Sequence, residues 1–322
     1  MPFVRSAPRA IARVALPVAA VALAACAGST GPASAPVEPA TPSTTEPTAT
    51  VVVTYSVLGR LVADLVGSAA EVVVIVPDGR DPHDYQPSAR DMEAMATADL
   101  LVVNGLGFEE YLGDAVGAAA DAGTPTFVVS DHVTVRDAAG VRDDGHGHGD
   151  DHGTGAHGVG DPHLWLSPAT MLEALPALAD AISVAIGADV DPAPLTVELE
   201  ALDAELASEF AALARCELVT GHDELGYFAD RYGCEVIGAV IPSMSTTADA
   251  SARQLAELKD VIDRHGATTV FTSLGTPQGV AEQIARETGA DVVELGTHVL
   301  GGSGSYASFI RSIADAILDA LR

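Results

Sequence analysis

Short runs of β-branched residues alternate with longer amphipathic stretches from residue 51 to the C-terminus, and this alternation constrains the fold more than any other feature. Runs such as residues 51–55 predict buried strands, and stretches such as residues 57–66, which have apolar residues at helical spacing, predict helices. Strands and helices that alternate at this pitch indicate a parallel α/β sheet. Ligands of such sheets bind at the carboxyl ends of the strands.

The alternation occurs twice, and two long apolar stretches separate the two occurrences. We therefore predict an α/β fold with two α/β lobes, each with a parallel sheet, joined by a long linking helix. The predicted strands are residues 51–55, 71–76, 100–104 and 126–129, then 217–220, 236–241, 269–272 and 291–295. The predicted boundaries are an N-terminal lobe at 51–167, a linking helix at 168–190 and a C-terminal lobe at 191–322.

The N-terminal segment has the organisation of a secretory signal. Three arginines precede an apolar run that is too short to span a bilayer. The run closes on Leu23-Ala24-Ala25-Cys26, which resembles a bacterial lipobox. An ordinary signal cleaved near Ala25 is the alternative. We predict a signal peptide at 1–25, a lipidated Cys26 that anchors the protein to the cell membrane, and a disordered tether at 26–50.

The net charge of the chain limits which classes of partner it can bind. The formal net charge is −29. Such a balance argues against nucleic acid, whose phosphates need Lys and Arg, and against electrostatic docking on anionic lipid. It favours solubility and attraction of cations. We therefore expect no nucleic-acid partner, and membrane contact through the lipid anchor only.

A segment at residues 143–160 is dense in histidine, glycine and aspartate and breaks the α/β pattern. No core can form from such residues, so the segment predicts a mobile surface loop. One interpretation is an accessory loop that captures metal loosely, and the other is a flexible polar insertion. The candidate ligands in it are His146, His148, His152 and His157.

Three further histidines occupy positions typical of metal ligands. His83 and His163 each close an Asp-Pro-His tripeptide, and His222 follows a predicted strand end. Each proline stiffens the backbone before its histidine. Neutral imidazole suits zinc, copper, nickel and iron, whereas manganese prefers carboxylates and water. We predict that the three meet around a transition metal, with zinc expected. The candidates to accept the second ring N–H of a ligand are Asp81, Asp161 and Asp223.

Cys216 and Cys234 each directly precede a predicted strand, 18 residues apart. If the two strands are parallel neighbours, their starts lie close enough for a disulfide, which an exported protein would oxidise. The alternative, metal ligation, is weaker because both cysteines lie at strand starts, opposite to the end that carries His222. We predict the Cys216–Cys234 disulfide.

Larger motifs surround the three histidines. They cover residues 81–88, 161–168, 221–223, 226–228, 231–233 and 251–255. Together they resemble the metal-binding solute-binding lipoproteins of zinc and manganese ABC transporters, in the same order and over residues 51–322. The resemblance implies two lobes bridged by a long helix, a metal in the cleft between them, little closure on binding, delivery to a membrane permease and no catalysis. The histidine-rich loop resembles the zinc-specific members.

The segment at residues 295–301 departs from that family's pattern. The family usually carries Asp or Glu near the end of the last strand, and here His298 stands at that position. His298 is either a fourth imidazole of a tetrahedral site or a near-surface histidine, with water as fourth ligand. The lost carboxylate favours zinc over manganese. It should also make metal affinity depend more on imidazole deprotonation, and hence on pH.

The sequence thus predicts a monomeric, extracytoplasmic, high-affinity zinc-binding lipoprotein that captures Zn²⁺ and delivers it to an ABC import permease. A manganese- or other metal-binding member and a metal-buffering adhesin are the alternatives. A zinc hydrolase is less favoured. The chain has no His-Glu-x-x-His motif, and we identify no glutamate beside a predicted ligand as an evident general base.

Overall fold

The computed structural model describes residues 49–137 and 160–322. Within these ranges the chain forms two four-stranded parallel sheets with helices packed against them. The predicted architecture of two α/β lobes is therefore confirmed. Several predicted features lie outside the described residues: the signal segment 1–25, Cys26, the tether as far as residue 48, and His146, His148, His152 and His157.

The N-terminal lobe contains a sheet with the strand order β2-β1-β3-β4, in which all pairs are parallel. Strands β1 and β3 lie at the centre, and their apolar residues are buried, as expected for a parallel sheet covered on both faces. The elements are β1 (Thr50–Tyr55), α1 (Ser56–Val66), β2 (Glu71–Val76), α2 (Ala89–Ala96), β3 (Leu100–Val103), α3 (Gly113–Asp121) and β4 (Thr126–Val128).

Two long helices follow. Helix α4 (Pro168–Ile186) begins with the side chain of Ser167 accepting a hydrogen bond from the backbone N–H of Thr170, and continues through Pro176. Helix α5 (Ala193–Ala211) packs against it. Among the described residues, α4 is the one helix long and apolar enough to cross a bilayer. It is instead part of the protein core, with buried residues Pro168, Thr170, Met171, Ala174, Leu175, Leu178, Ala179 and Ile182.

The C-terminal lobe repeats the same topology, with the strand order β6-β5-β7-β8 and parallel pairing throughout. Strand β5 extends through His222, so this histidine is the last residue of the strand and does not follow it as predicted. The elements are β5 (Glu217–His222), α6 (Gly226–Tyr232), β6 (Glu235–Ile241), α7 (Ala252–His265), β7 (Thr269–Thr272), α8 (Gln278–Thr288), β8 (Asp291–Glu294) and α9 (Tyr306–Leu321).

One hydrophobic core runs through both lobes. It starts at the sheet of the N-terminal lobe, continues through α4, α5 and α9, and reaches residues such as Leu218 and Phe271 in the second sheet. A smaller core fills the other face of that second sheet. Its members are Val219, Val240, Leu258, Ile262, Val270, Ala281 and Ile284. The lobes are therefore not two separate hydrophobic units, because the larger core belongs to both.

Cys216 and Cys234 form a disulfide, with their Cα atoms 4.6 Å apart. Each lies immediately before its strand, and β5 and β6 are parallel neighbours, with Glu217 paired to Glu235. The geometric condition on which the predicted disulfide depended is therefore met. The bond joins the amino-terminal ends of β5 and β6. His222 lies at the other end of β5.

Candidate metal centre

Four histidines meet between the lobes. His83 and His163 come from the N-terminal lobe, and His222 and His298 come from the C-terminal lobe. All four are buried, none more than 3% exposed. One ring nitrogen of each lies within 4.8 Å of one ring nitrogen of every other. The structure thus brings together the three histidines predicted from the Asp-Pro-His motifs and β5, and with them His298, the predicted fourth imidazole. His298 is buried, so the alternative of a near-surface histidine is wrong.

The two Asp-Pro-His tripeptides adopt the same local turn. Asp81 Oδ1 accepts a hydrogen bond from the backbone N–H of His83 at 3.0 Å, and Asp161 Oδ1 does the same for His163, also at 3.0 Å. An aspartate that bonds to the backbone two residues further on makes an Asx-turn. The proline between them fixes one backbone dihedral. The repeated tripeptide is therefore a device that presents a histidine from a rigid loop.

The nitrogen geometry suits a tetrahedral ion. His163 Nε2 and His222 Nε2 lie 3.2 Å apart. Zinc–nitrogen bonds of about 2.0–2.1 Å in a regular tetrahedron place neighbouring nitrogens roughly 3.3 Å apart. The Nε2 atoms of His83 and His298 are buried and have no hydrogen-bond partner among the described residues. Leaving such an atom unsatisfied costs about 1–3 kcal/mol, which coordination to an ion would recover.

Burial favours the neutral form of three of these imidazoles. It lowers the pKa of His83 and His222 well below the usual range, and it lowers the pKa of His298 to about 3. The nearby His163 adds to the lowering in each case. Three imidazoles are thus already deprotonated at neutral pH. The expectation that metal affinity depends on imidazole deprotonation stays a prediction, and the lowered pKa values place that dependence below the ordinary histidine range.

Asp161 is the predicted carboxylate that contacts a histidine ring. Its Oδ1 accepts a hydrogen bond from His163 Nδ1 at 2.8 Å, and its Oδ2 pairs with Arg136 at 3.2 Å. The other two candidates act differently. Asp81 Oδ2 accepts from the hydroxyl of Thr246 at 2.7 Å, and the described hydrogen bonds give Asp223 no ring contact. The carboxylate beside His222 is instead that of Glu224.

Glu224 was missed by sequence reasoning. Its Oε1 lies 3.6 Å from His222 Nδ1, and its Oε2 lies 3.7 Å from His298 Nδ1. The side chain is 1% exposed, and burial raises its pKa to about 7. A glutamate therefore does stand beside two of the histidines, contrary to the sequence interpretation. Its position two residues after His222, at the end of a strand, was the signal that could have found it.

Trp165 connects the two lobes at the site. Its indole Nε1 donates a hydrogen bond to the backbone carbonyl of Thr297 at 2.9 Å, and its own carbonyl accepts one from the hydroxyl of Tyr306 at 2.8 Å. The indole lies 5.4 Å from the ring of His298, centroid to centroid. Trp165 therefore fixes the turn that carries His298, in addition to preceding the linking helix.

The buried histidine cluster lies between two α/β lobes, and ligand sites occur preferentially at such interfaces. A family model described as "ZnuA: Zinc-uptake complex component A periplasmic" matches residues 51–320. The chain belongs to this family of metal-binding solute-binding proteins, and the resemblance identified from the motifs is confirmed.

Relatives in this family carry different metal assignments. The chain is 31% identical over 263 residues to a "Putative metal-binding protein" of Treponema pallidum, covering 77% of this chain and 78% of the relative. It is 24% identical over 272 residues to the "Manganese-binding lipoprotein MntA" of Halalkalibacterium halodurans, covering 80% and 82%. The solved structure of the periplasmic zinc-binding protein TroA from Treponema pallidum is similar in fold. Its TM-score is 0.72 at 23% identity, covering 85% of this chain and 99% of TroA.

Proposed function

We propose that the protein is an extracytoplasmic zinc-binding protein that holds Zn²⁺ with His83, His163, His222 and His298. The observation that carries the proposal is the convergence of four buried ring nitrogens from four separate loops and strand ends. A nitrogen-only shell favours zinc over manganese, because manganese prefers oxygen ligands. The family includes a manganese-binding lipoprotein, so manganese is the alternative cargo.

Four protein ligands also favour a metal carrier over a zinc enzyme. A catalytic zinc usually has three protein ligands and keeps one position open for water or substrate. An all-histidine tetrahedron fills that position. The protein is therefore proposed as a carrier, with Zn²⁺ as its cargo and an ABC import permease as the partner that receives it.

The test is a competition titration of the purified, chelator-stripped protein with a zinc indicator, and then with manganese. We expect one tight zinc site and much weaker manganese binding. Replacing any of the four histidines singly with Ala should weaken zinc binding by at least two orders of magnitude. His265→Ala is the matched control, because His265 is partly exposed and contacts Glu217, away from the cluster. Tight zinc binding that survives His163→Ala would rule out the site.

The fourth ligand has its own test. If His298 coordinates the ion, cobalt substituted for zinc should show the absorption of a four-nitrogen tetrahedral site, and His298→Ala should change that spectrum. An unchanged spectrum and affinity would assign the fourth position to water. A crystal structure with an anomalous signal at the zinc edge would locate the ion directly.

Membrane attachment through Cys26 is proposed on the lipobox-like sequence alone. Fatty-acid labelling of the protein in a bacterial host should be abolished by Cys26→Ser. Release of the variant from the membrane fraction is the expected second result. We propose a monomer, and light scattering with and without zinc tests this. A metal-buffering adhesin would bind zinc equally well, but loss of the protein would then leave zinc import unchanged.

A further inference from the structure

Glu224 is a buried carboxyl group without a cationic partner among residues 49–137 and 160–322. Another buried acid near the site, Asp161, has a cationic partner. It pairs with Arg136, whereas no Lys or Arg of the described chain forms an ion pair with Glu224. Burying a carboxylate without a partner is costly, so such a group is rarely a passive filler. The groups that face Glu224 are two imidazoles and the hydroxyls of Thr297 and Ser273.

Each oxygen of Glu224 faces a different histidine. Oε1 lies 3.6 Å from His222 Nδ1, just beyond hydrogen-bond distance, and that nitrogen has no hydrogen-bond partner among the described residues. Oε2 accepts a hydrogen bond from the hydroxyl of Thr297 at 2.7 Å. The same hydroxyl lies 3.1 Å from His298 Nδ1. Oε2 therefore reaches His298 through Thr297, and Oε1 is the oxygen that faces His222.

The ring nitrogen that holds a proton decides which nitrogen can bind metal. An imidazole whose Nδ1–H donates to a carboxylate or hydroxyl presents the lone pair of Nε2. His222 Nε2 lies 3.2 Å from His163 Nε2, and His298 Nε2 is buried with no hydrogen-bond partner among the described residues, so each is the nitrogen left to face the ion. Asp161 gives His163 the same arrangement at 2.8 Å. One acid in the N-terminal lobe and one in the C-terminal lobe would thus account for three of the four rings.

We infer that Glu224 is the positioning residue for the C-terminal half of the site. Its Oε1 is the acceptor nearest to Nδ1 of His222, at 3.6 Å, and its Oε2 reaches Nδ1 of His298 through the hydroxyl of Thr297, so that both Nε2 atoms face the ion. The inference rests on the proposed function, because it assigns a role in zinc binding. It also places a carboxylate close to the ion without making that carboxylate a ligand.

The decisive variant is Glu224→Gln, which has the same shape but one acceptor oxygen and one NH₂ donor in place of two acceptors. The single oxygen of Gln can accept from only one side, either from His222 or from Thr297 and His298. Its NH₂ group must then face the other side with a donor. Carboxylates that orient ligands typically change metal affinity 10–100-fold when replaced. We expect zinc affinity to fall 10–100-fold, and the cobalt absorption spectrum to show a distorted site.

Two further variants separate positioning from general effects. Thr297→Val keeps the shape and removes the hydroxyl between Glu224 and His298, so a smaller loss, about 3–10-fold, is expected from disturbing one ring. Asp223→Asn removes a charge at the neighbouring position and should leave zinc affinity within about 3-fold, because Asp223 makes no hydrogen bond to a ring among the described residues. The melting temperature of each stripped variant shows whether it folds.

The results distinguish a failure of the positioning role of Glu224 from a failure of the proposed zinc-binding function. If the unaltered protein binds no zinc, the proposed function fails. If it binds zinc tightly and Glu224→Gln binds equally well with an unchanged cobalt spectrum, the positioning role is wrong and Glu224 is only a buried polar residue. If Glu224→Gln does not fold, Thr297→Val decides, and unaltered affinity and spectrum in that variant overturn the inference.

Discussion

The carboxylate of Asp161 accepts two hydrogen bonds from His163, one from its backbone N–H at 3.0 Å and one from its ring Nδ1 at 2.8 Å. One residue thus fixes both the path of the chain and the orientation of the ring. Its second oxygen pairs with Arg136, which also bonds to Asp230 in the other lobe. The ring is therefore held by a network that spans both lobes.

Replacing Asp161 with Asn should weaken zinc binding about 10–100-fold, because the ring of His163 loses its charged acceptor. Competition titration measures the change. Asp230→Asn is the control, since it removes the other partner of Arg136, and the Asp230 side chain is 65% exposed. A surface ion pair contributes about 0–1 kcal/mol, so that variant should bind zinc normally. Equal losses in both variants would show that Arg136, and not the ring contact, matters.

Protonation of His298 should make the stripped protein less stable in acid. Its folded pKa, about 3, lies below the ordinary value of 6.5. A lowered pKa contributes stability that is present above 6.5 and is lost as the pH falls toward 3. The unfolding free energy should therefore fall over this window by more in the unaltered protein than in His298→Gln. Urea titrations across pH 3–7 measure both, and a difference that does not vary with pH would contradict the prediction.

Loss of the Cys216–Cys234 bond should reduce stability without reducing zinc affinity. A crosslink that closes a loop of 18 residues stabilises a protein by about 3 kcal/mol in the chain-entropy model. The bond lies at the amino ends of β5 and β6, and His222 lies at the other end of β5. Denaturation and zinc titration of the Cys216→Ala/Cys234→Ala double variant test both halves. A large loss of zinc affinity would mean that the strand ends are coupled.

Removing the histidine-rich segment should spare the tight site. Asp137 and Gly160 form an antiparallel bridge, so the described chain on either side of the segment is held together. A short Gly-Ser linker in place of residues 145–157 should therefore leave zinc affinity at the four histidines unchanged. Total zinc bound per molecule should fall to about one if the segment binds further ions. Weakened tight binding would show that the segment contributes to the cleft.

The lobes and three of the histidines could be predicted from sequence because their signals are local. Runs such as residues 51–55 indicate strands by residue type, and Asp-Pro-His marks a rigid loop within three residues. Even the cysteines could be paired, because parallel neighbouring strands bring their starts together. The predictions of the strands and of the Asp-Pro-His loops were accurate because they rest on short-range rules that the tertiary structure did not override.

The features that sequence reasoning missed depend on contacts between distant residues. Glu224 reaches His298 through Thr297, 73 residues along the chain. Trp165 bonds to a carbonyl 132 residues away. The lowered pKa values of His83, His222 and His298 arise from burial, which no spacing in the sequence displays. Each of these features forms only when the two lobes are packed together.

The continuous hydrophobic core has a consequence for how cargo can leave. Opening the cleft as a hinge would drag α4, α5 and α9 away from apolar surface they share with both sheets, and would expose that surface to water. Release by local rearrangement of the turns that carry His83 and His298 avoids this cost. If a permease receives the ion as proposed, we expect it to displace individual ligands at these two turns without separating the lobes.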